Sequence, residues 1–326
     1  MSDESFRSAF SDQTDWCGTM AAHQHLLDTK PDYADNRRLI EEAASVYESG
    51  ERRMAREEVI DIPVVVHVVH HTDEQNISDA QIRSQIDVLT RDFGKKNLDI
   101  SKVSTAWQGL AEDARIRFHL ATTDPIGRTT TGITRTRTSR TSFAPPDPEA
   151  TDPEKRKGNQ VKFTQSGGQD AWPANTYLNL WVCQLERSLL GYAQFPGGPA
   201  ATDGVVITYK AFGTNGTATA PFHGGRTATH EVGHWLNLRH IWGDKRGCAG
   251  DDFVADTPNQ EGPNFGSPSF PHVTCNNGPN GDMFQNYMDY TDDAAMFMFT
   301  KGQVARMHST FENARMTFAA RETVLA

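Results

Sequence analysis

The stretch from His230 to His240 reads HEVGHWLNLRH and decides how the whole chain is interpreted. His230 and His234 are four residues apart, so on a helix their imidazoles lie one turn apart on the same face and can reach one metal ion. Glu231 follows the first histidine, where its carboxylate can touch a water at the metal without binding the metal itself. The pattern predicts a zinc-binding helix with a general base beside it.

The third histidine needs a turn in the chain. His240 lies six residues beyond His234, too far to reach the same metal if the helix simply continued. We place the turn at Asn237, because Asn adopts left-handed backbone angles more readily than other non-glycine residues. Three neutral imidazoles leave a fourth tetrahedral position for water, which is typical of a catalytic zinc. The alternative is an amphipathic helix whose histidines only pack, but a shuffled chain would hold the full motif on the order of one time in a thousand.

Composition indicates a globular protein and excludes some partners. The 326 residues are 37% hydrophobic and 23% charged, with a net charge of −10. This length favours either one large domain or one domain with an accessory segment. The sequence has no basic stripe of the kind that binds nucleic acid. No apolar run approaches the roughly 18 residues of a membrane helix. The net negative charge favours basic peptides as partners. The N-terminus lacks the basic and apolar regions of a secretory signal.

Periodicity divides the chain into two parts. Residues 1–57 are polar and charged, with a helix expected over Asn36–Arg56, and we expect them to precede a catalytic domain at residues 58–326. A β-branched run over Ile62–His70 predicts a buried strand. Ser78 and Gln81 predict a capping box that starts a helix reaching Lys96.

Further elements follow along the catalytic domain. Strands are expected over Arg115–Ala121, Leu178–Val182 and Gly204–Tyr209, and the short run Leu190–Phe195, ended by Pro196, is typical of an edge strand. Residues 139–160, rich in proline and charge, predict an exposed loop. A final helix is expected over Thr300–Phe318, with these residues on its buried side: Val304, Met307, Phe311 and Met316.

The region from Trp242 to Met283 is rich in Gly, Pro, Asn and Asp and lacks periodicity. A loop this long needs a disulfide or an ion to hold it. Cys248 and Cys275 flank it, and we expect them to pair and to contribute roughly 3 kcal/mol; two free thiols are the alternative. A disulfide implies an oxidising compartment, so we expect an extracellular protein although no signal peptide is visible.

The segment Asn286–Tyr290, NYMDY, adds a second motif. Together with the histidine motif it resembles the metzincin metallopeptidases, in which a tight turn carries a Met beneath the metal. The resemblance implies an α/β (α+β) zincin fold with a twisted mixed sheet, an upper subdomain to about residue 240 and an irregular lower subdomain over 241–326. It also implies that Met288 packs under the imidazoles and that Tyr290 stabilises the oxyanion; a core Met and a Tyr at a loop edge are the alternatives.

A finer resemblance is to the pappalysin family, in particular to its ulilysin-like members, over about residues 60 to 320. It is carried by four stretches: Gly225–Glu231, His240–Asp244, Gly250–Pro258 and Asn286–Asp293. The generic metzincin pattern has Gly where this chain has Asn237, which ulilysin-like sequences allow.

This resemblance implies calcium and a basic specificity. Ulilysin-like enzymes hold calcium in the loop after the zinc helix, and calcium takes six to eight oxygens; a solvated acidic loop is the alternative. The candidate calcium ligands are Asp244, Asp251, Asp252, Asp256 and Thr257. Asp293, with Asp292 as a second candidate, falls where the family places an acid at the base of the pocket that receives the side chain after the cut. A buried carboxylate there favours Lys or Arg, and Arg in particular for its bidentate fork; a turn Asp is the alternative.

Cys17 lies in the segment before the catalytic domain. Its thiolate could take the open position on zinc and keep a proenzyme silent; it could also stay a free thiol or pair with Cys183. The cluster Arg52, Arg53 and Arg56 offers cut sites for self-processing.

These observations together predict a secreted zinc endopeptidase that cleaves on the N-terminal side of Arg or Lys and is made as a self-processing zymogen. Its substrates would be peptides and proteins, laid along Leu190–Phe195 as an added strand. The alternatives are a catalytically silent homologue that binds zinc and peptide, and a metal amidase acting on small molecules.

Overall fold

The computed structural model describes residues 16–49, 59–186 and 188–319. The helices are α1 (Thr19–Thr29), α2 (Pro31–Glu48), α3 (Asp79–Phe93), α4 (Thr105–Gln108), α5 (Pro153–Lys157), α6 (Arg226–Trp235), α7 (Lys301–Asn313) and α8 (Met316–Ala319). The strands are β1 (Ile60–His70), β2 (Ile116–Leu120), β3 (Ile133–Arg137), β4 (Leu178–Cys183), β5 (Gly191–Ala193), β6 (Val205–Thr208), β7 (Phe265–Gly266) and β8 (Tyr290–Thr291). Short 3₁₀ turns lie at Ile100–Lys102, Gln160–Lys162, Thr164–Ser166, Ala200–Thr202, Tyr209–Ala211 and Asp293–Ala295.

A mixed sheet forms the upper part of the molecule, in the order β2-β1-β4-β6-β5. The long strand β1 pairs in parallel with β2 along its first half and with β3 along its second half. Among the described strands, only β5 runs antiparallel to its neighbour, and it ends the order. The predicted edge strand is therefore present, although it spans only Gly191–Ala193.

The core lies between this sheet and two helices. The β-branched run of β1 is buried on both faces, as expected for a central parallel strand. Helix α3 covers one face with the predicted apolar stripe, Ile82, Ile86, Leu89 and Phe93, all of which are buried. Helix α6 packs beside α3 and against β5 and β6, so the histidine motif lies directly under the edge strand.

Backbone geometry fixes both ends of α6. Gly225 precedes it with φ of 77°, a left-handed angle that favours glycine. Asn237 follows it with φ of 74°, which is the turn that the sequence predicts at this residue.

The lower part has little regular structure and is held by specific links. The Cys248–Cys275 disulfide is present and closes a separation of 27 residues. The buried Asp289 carboxylate accepts hydrogen bonds from the Gln260 side chain (2.9 Å) and the Asn264 backbone N–H (2.8 Å), which joins this loop to the segment carrying Met288.

The N-terminal segment, defined here as residues 16–49, lies against both parts. Residues 16–18 extend the sheet beyond β5, with a parallel bridge between Cys17 and Gly191. Helices α1 and α2 follow, and α2 packs along α7. The predicted helix over Asn36–Arg56 begins earlier, at Pro31, and ends at Glu48, while Arg52, Arg53 and Arg56 lie outside the described residues.

Two local predictions are wrong in part. Ser78 caps α3 through the Gln81 backbone N–H, but the Gln81 side chain bonds to the backbone of Phe212 at 2.8 Å, so only half of the capping box exists. Residues 139–160 contain helix α5, and Pro145 and Pro146 there are buried, so this stretch is not simply an exposed loop.

The predicted final helix is broken into two helices, α7 and α8. As a result, the side chain expected to be buried near its end, Met316, is exposed. Arg315 turns inward, where its guanidinium makes two hydrogen bonds to Asp203 at 2.7 and 2.8 Å and lies 3.7 Å from the centre of the Trp235 ring. Met316 is consequently 60% exposed and Phe318 is buried in its place.

Among the described residues, no helix combines the length and apolarity needed to cross a membrane.

Candidate metal and catalytic site

Three imidazoles converge at the end of α6. Nε2 of His234 lies 3.1 Å from Nε2 of His230 and 3.1 Å from Nε2 of His240. All three side chains are buried. The turn at Asn237 thus brings the third histidine back beside the first two.

Each ring is oriented by a hydrogen bond from its other nitrogen. Nδ1–H of His230 donates to the Tyr287 carbonyl at 2.8 Å, and Nδ1–H of His234 donates to the Leu238 carbonyl at 2.7 Å. Nδ1 of His240 is bonded to the Asp244 carboxylate. Because Nδ1 carries the proton in each ring, the three Nε2 lone pairs face one another.

Lone pairs that meet this closely repel unless a cation lies between them, so the donor set itself fits a metal ion. Burial lowers the pKa of His230 to about 3 and that of His234 well below its usual range. Both rings are therefore neutral, which is the form that binds metal. Three nitrogen donors with an outward bond on each ring suit zinc.

Cys17 of the N-terminal segment approaches the same point. Its Sγ and one ring nitrogen of each of the three histidines all lie within 4.8 Å of one another. Cys17 and Cys183 both belong to the described residues, and no disulfide joins them. Cys17 thus lies where its sulfur could supply a fourth donor, and the pairing with Cys183 is not formed.

The Glu231 carboxylate lies beside the histidines and contacts the N-terminal segment. Its Oε2 accepts a hydrogen bond from the Thr19 hydroxyl at 2.9 Å and lies 3.4 Å from Sγ of Cys17. The Thr19 hydroxyl also accepts the backbone N–H of Ala193 in β5 at 2.8 Å. Thr19 therefore ties together the candidate base, the edge strand and the N-terminal segment.

Met288 packs against helix α6, which carries the first two histidines. It is fully buried, and a Cβ added to Gly233 would meet its Sδ at 2.5 Å. Glycine at 233 thus allows the helix to rest directly on the Met288 sulfur. The backbone N–H of Ile241 donates to the Met288 carbonyl at 3.2 Å, which links this turn to the third histidine.

Tyr290 flanks the histidines on the side of the N-terminal segment. Its ring centre lies 5.0 Å from that of His240 and 5.7 Å from that of His230. The Trp16 ring stacks on it at 6.0 Å.

A pocket opens next to Tyr290, under Trp16. It is small, and its lining includes Arg226 and Asp293. The Asp293 carboxylate accepts the backbone N–H of Gly224 at 2.7 Å and that of Arg226 at 3.3 Å, at the start of α6. Burial raises the pKa of Asp293 to about 6. Asp292 is less buried and is not part of this lining.

The candidate calcium ligands do not form one cluster. Asp244 faces His240, while Asp256 accepts hydrogen bonds from the Thr300 hydroxyl (2.6 Å) and the Gly302 N–H (2.9 Å) at the start of α7. Asp252 and Thr257 are together, with the hydroxyl 2.9 Å from both carboxylate oxygens.

Asp251 precedes Asp252 in the chain. It is exposed and accepts the Phe253 N–H at 2.7 Å. Among the five residues, side-chain hydrogen bonds join Asp252 and Thr257.

Several residues of the site were missed by sequence reasoning. Trp16 and Thr19 lie within two residues of Cys17 in the sequence. Once Cys17 is placed at the metal, its neighbours in the chain are expected near the site as well. Arg226 lies in the stretch Gly225–Glu231, but no role was predicted for it. Its guanidinium donates to the Tyr287 hydroxyl (2.8 Å) and to Asp99 (3.0 Å) and so supports the zinc helix.

Comparisons with known proteins agree with this geometry. The family model Peptidase_M43, described as pregnancy-associated plasma protein-A, matches residues 163–312. An extracellular metalloprotease of Verticillium alfalfae is 33% identical over 285 residues, covering 83% of this chain and 82% of that protein.

Two solved structures from Tannerella forsythia are similar over most of the chain. A promirolysin mutant is 48% identical with a TM-score of 0.82, covering 93% of this chain and 97% of that one. Mature mirolysin in complex with a cleaved peptide is 52% identical with a TM-score of 0.76, covering 81% of this chain and 97% of that one. The chain therefore belongs to the pappalysin family of metzincin metallopeptidases, and it is a zinc metalloendopeptidase.

Proposed function

We propose that this chain is a secreted zinc endopeptidase that cleaves on the N-terminal side of Arg or Lys and is made as a latent precursor. The observation that carries the proposal is the meeting of three imidazoles, the Glu231 carboxylate and the Cys17 thiol at one point, beside a pocket with a buried carboxylate.

His230, His234 and His240 would hold the zinc, which when bound polarises the scissile carbonyl and lowers the pKa of water. Glu231 takes a proton from the attacking water and passes it to the leaving amine nitrogen. Tyr290, whose ring lies against two of the histidines, stabilises the negative charge that develops on the carbonyl oxygen.

The side chain after the cut would enter the pocket that Asp293 lines. A carboxylate buried at this depth favours a cation, and the planar guanidinium of Arg can pair with it through two parallel hydrogen bonds. Two backbone N–H groups already hold one Asp293 oxygen, so the carboxylate is fixed in position. Asp292 remains the second candidate.

The substrate would lie along β5 by strand addition. The N-terminal segment now uses that edge: the Trp16 carbonyl accepts the Leu190 N–H at 2.9 Å, and the Gly18 N–H donates to the Gly191 carbonyl at 2.9 Å. Trp16 covers the pocket and Cys17 faces the histidines, so this segment blocks the metal, the pocket and the strand edge together. This supports residues 1–57 as a pro-segment that confers latency.

Maturation would then require a cut between α2 and β1. Arg52, Arg53 and Arg56 lie in that interval and match the proposed specificity, so the enzyme would process itself. The promirolysin structure covers 93% of this chain and the mature mirolysin structure covers 81%, which supports a removable segment of comparable length.

Asp252 and Thr257 would contribute to a calcium site. Burial raises the pKa of Asp252 to about 8, so its carboxyl is poorly compensated without a cation. An extracellular location fits calcium, the disulfide and the names of the fungal relatives, several of which are called extracellular metalloproteases.

A catalytically silent homologue that binds zinc and peptide is the alternative. Glu231 argues against it, since a site that only binds has no need of a base beside the water.

Cleavage-site profiling on a peptide library tests the proposal. We expect the matured enzyme to cut before Arg more often than before Lys and rarely before other residues. Glu231→Ala is the inactive control, and Asp293→Asn should remove the basic preference while Asp292→Asn keeps it. Cleavage without any basic preference would overturn the proposed specificity, and no cleavage at all would favour the silent homologue.

A further inference from the structure

A second anchor of the N-terminal segment lies where α2 packs along α7, beside the turn that precedes the third histidine. Arg306 of α7 is 1% exposed and its three guanidinium nitrogens are all used. Nη1 donates to Glu48 at 2.9 Å, Nη2 donates to Glu41, and Nε donates to the Asn237 carbonyl at 2.7 Å. Both carboxylates come from α2, seven residues apart, so they lie two turns apart on one face of that helix.

Arg37 extends the contact to the turn before the third histidine. Its Nη2 donates to the Asn237 side-chain oxygen at 2.6 Å and also to Glu41, and its guanidinium lies 5.0 Å from the centre of the Phe195 ring. Arg37, Glu41, Arg306 and Glu48 thus form a row of alternating charge across the interface. Ion pairs of this kind are screened much less by salt than exposed pairs are.

This contact is separate from the Cys17 position in both sequence and chemistry. None of its groups is a candidate metal ligand, and all the contacts from the N-terminal side come from α2, which ends before residue 50. A cut among Arg52, Arg53 and Arg56 would break the chain but none of these ion pairs. Removing α2 would leave Arg306 without either carboxylate partner.

We propose that Arg306, Asn237 and Phe195 form a docking surface for an acidic helix with carboxylates two turns apart, and that the cleaved α1–α2 fragment remains bound there without help from the metal. This rests on the proposed function, in which the segment is cut off. A single cut would then give a nicked protein that stays inactive, and activation would require the fragment to leave or to be cut further.

The test is retention of the fragment after a cut that does not depend on the enzyme itself. The full chain carrying Glu231→Ala is nicked by limited trypsin treatment between residues 50 and 58, stripped of metal with chelator, and passed over a gel-filtration column. We expect the fragment to co-elute with the catalytic domain. The same chain with Glu41→Gln and Glu48→Gln should release it at least about tenfold faster, since both buried pairs are lost.

The matched control is Asp35→Asn with Glu42→Gln, because these two carboxylates also lie on α2 and, within the part of the chain that the structure describes, form ion pairs only with Arg38 of the same helix. This control should retain the fragment like the parent chain. Arg306→Gln should release it as fast as the glutamate variant, and combining the two should add little. If Arg306→Gln does not fold, the glutamate variant decides the test, because its changes lie on the departing fragment.

Equal release from the parent, the glutamate variant and the control would overturn the proposal. So would loss of the fragment from the parent as soon as metal is removed. A failure of self-processing leaves this test unaffected because trypsin makes the cut, so it is distinguishable from a failure of the docking surface.

Discussion

Asp244 holds the third histidine in place. Its carboxylate is bonded to Nδ1 of His240, and both side chains are buried. Carboxylates in this position orient the ring and make it a better donor, and their loss usually lowers metal affinity about 10–100-fold.

We therefore expect Asp244→Ala to bind zinc about 10–100-fold more weakly than the parent, measured by competition with a chromogenic chelator. Lys245→Ala, at the exposed neighbouring position, serves as the control and should bind normally. Unchanged zinc affinity in Asp244→Ala would show that this carboxylate does not support the metal site.

Asp293 predicts a pH dependence of specificity. Burial raises its pKa to about 6, and departure of Trp16 would admit water and move this value toward that of an ordinary Asp, so about 6 is the upper limit. Above this pH the carboxylate is charged and attracts a cationic side chain, and below it the carboxyl is neutral.

The KM for a peptide with Arg after the cut should therefore rise as pH falls through about 6 or below, whereas a matched peptide with Met there should show no such step. Asp293→Asn should flatten the difference between the two peptides. Parallel pH profiles in the parent enzyme would exclude Asp293 as the specificity carboxylate.

Residues differ in how well sequence alone reveals them. His230, His234 and His240 follow from spacing, and Asn237 follows from its tolerance of left-handed angles. The role of Thr19 and the contact between Asp244 and His240 do not follow from the sequence. They depend on the three-dimensional arrangement of segments that are distant in sequence or separated by a turn. A hydroxyl beside a carboxylate 212 residues away leaves no local pattern.

At the scale of elements, the strongest predictions came from buried, regular patterns. Strand β1 and the apolar stripe of α3 were predictable because their side chains alternate or repeat with the period of the element. Strand β3 was missed because its sequence, ITRTR, is polar and only partly buried, so its existence depends on pairing with β1. Helix α1 was missed because it buries only Thr19, Ala22 and Leu26.

The loop after the zinc helix carries a prediction about calcium. The pKa of Asp252 is raised by burial to about 8, so at pH 7 this carboxyl is mostly protonated without a cation and ionised when calcium binds it. Calcium binding at pH 7 should therefore release about one proton. Calorimetric titrations in two buffers with different ionisation enthalpies would measure it.

Asp256 supplies the matched control for this loop. It caps α7 through Thr300 and Gly302, so Asp256→Ala should lower the free energy of unfolding by about 0.5–2 kcal/mol but keep the calcium response. Asp252→Ala should abolish the proton release. Calcium binding that is unchanged in Asp252→Ala would remove this residue from the site.

At the scale of the whole molecule, the fold class and the family could be inferred because two short motifs lie in a fixed order along the chain. The position of the N-terminal segment could not be inferred from the sequence, since it depends on contacts of charged groups of α2 with Arg306 and Asn237. The sequence predicts a helix that includes Glu41 and Glu48, but it does not indicate which cationic residue pairs with them.

The central claim is that three imidazoles hold one zinc and that Glu231 moves the proton of the attacking water. Metal content and peptide cleavage, measured together on the matured enzyme and on Glu231→Gln, test it most directly. We expect about one zinc per chain in both proteins and a rate lowered by about 10²–10⁴-fold in the variant. A matured enzyme without stoichiometric zinc, or a Glu231→Gln variant within a few-fold of the parent rate, would contradict the account.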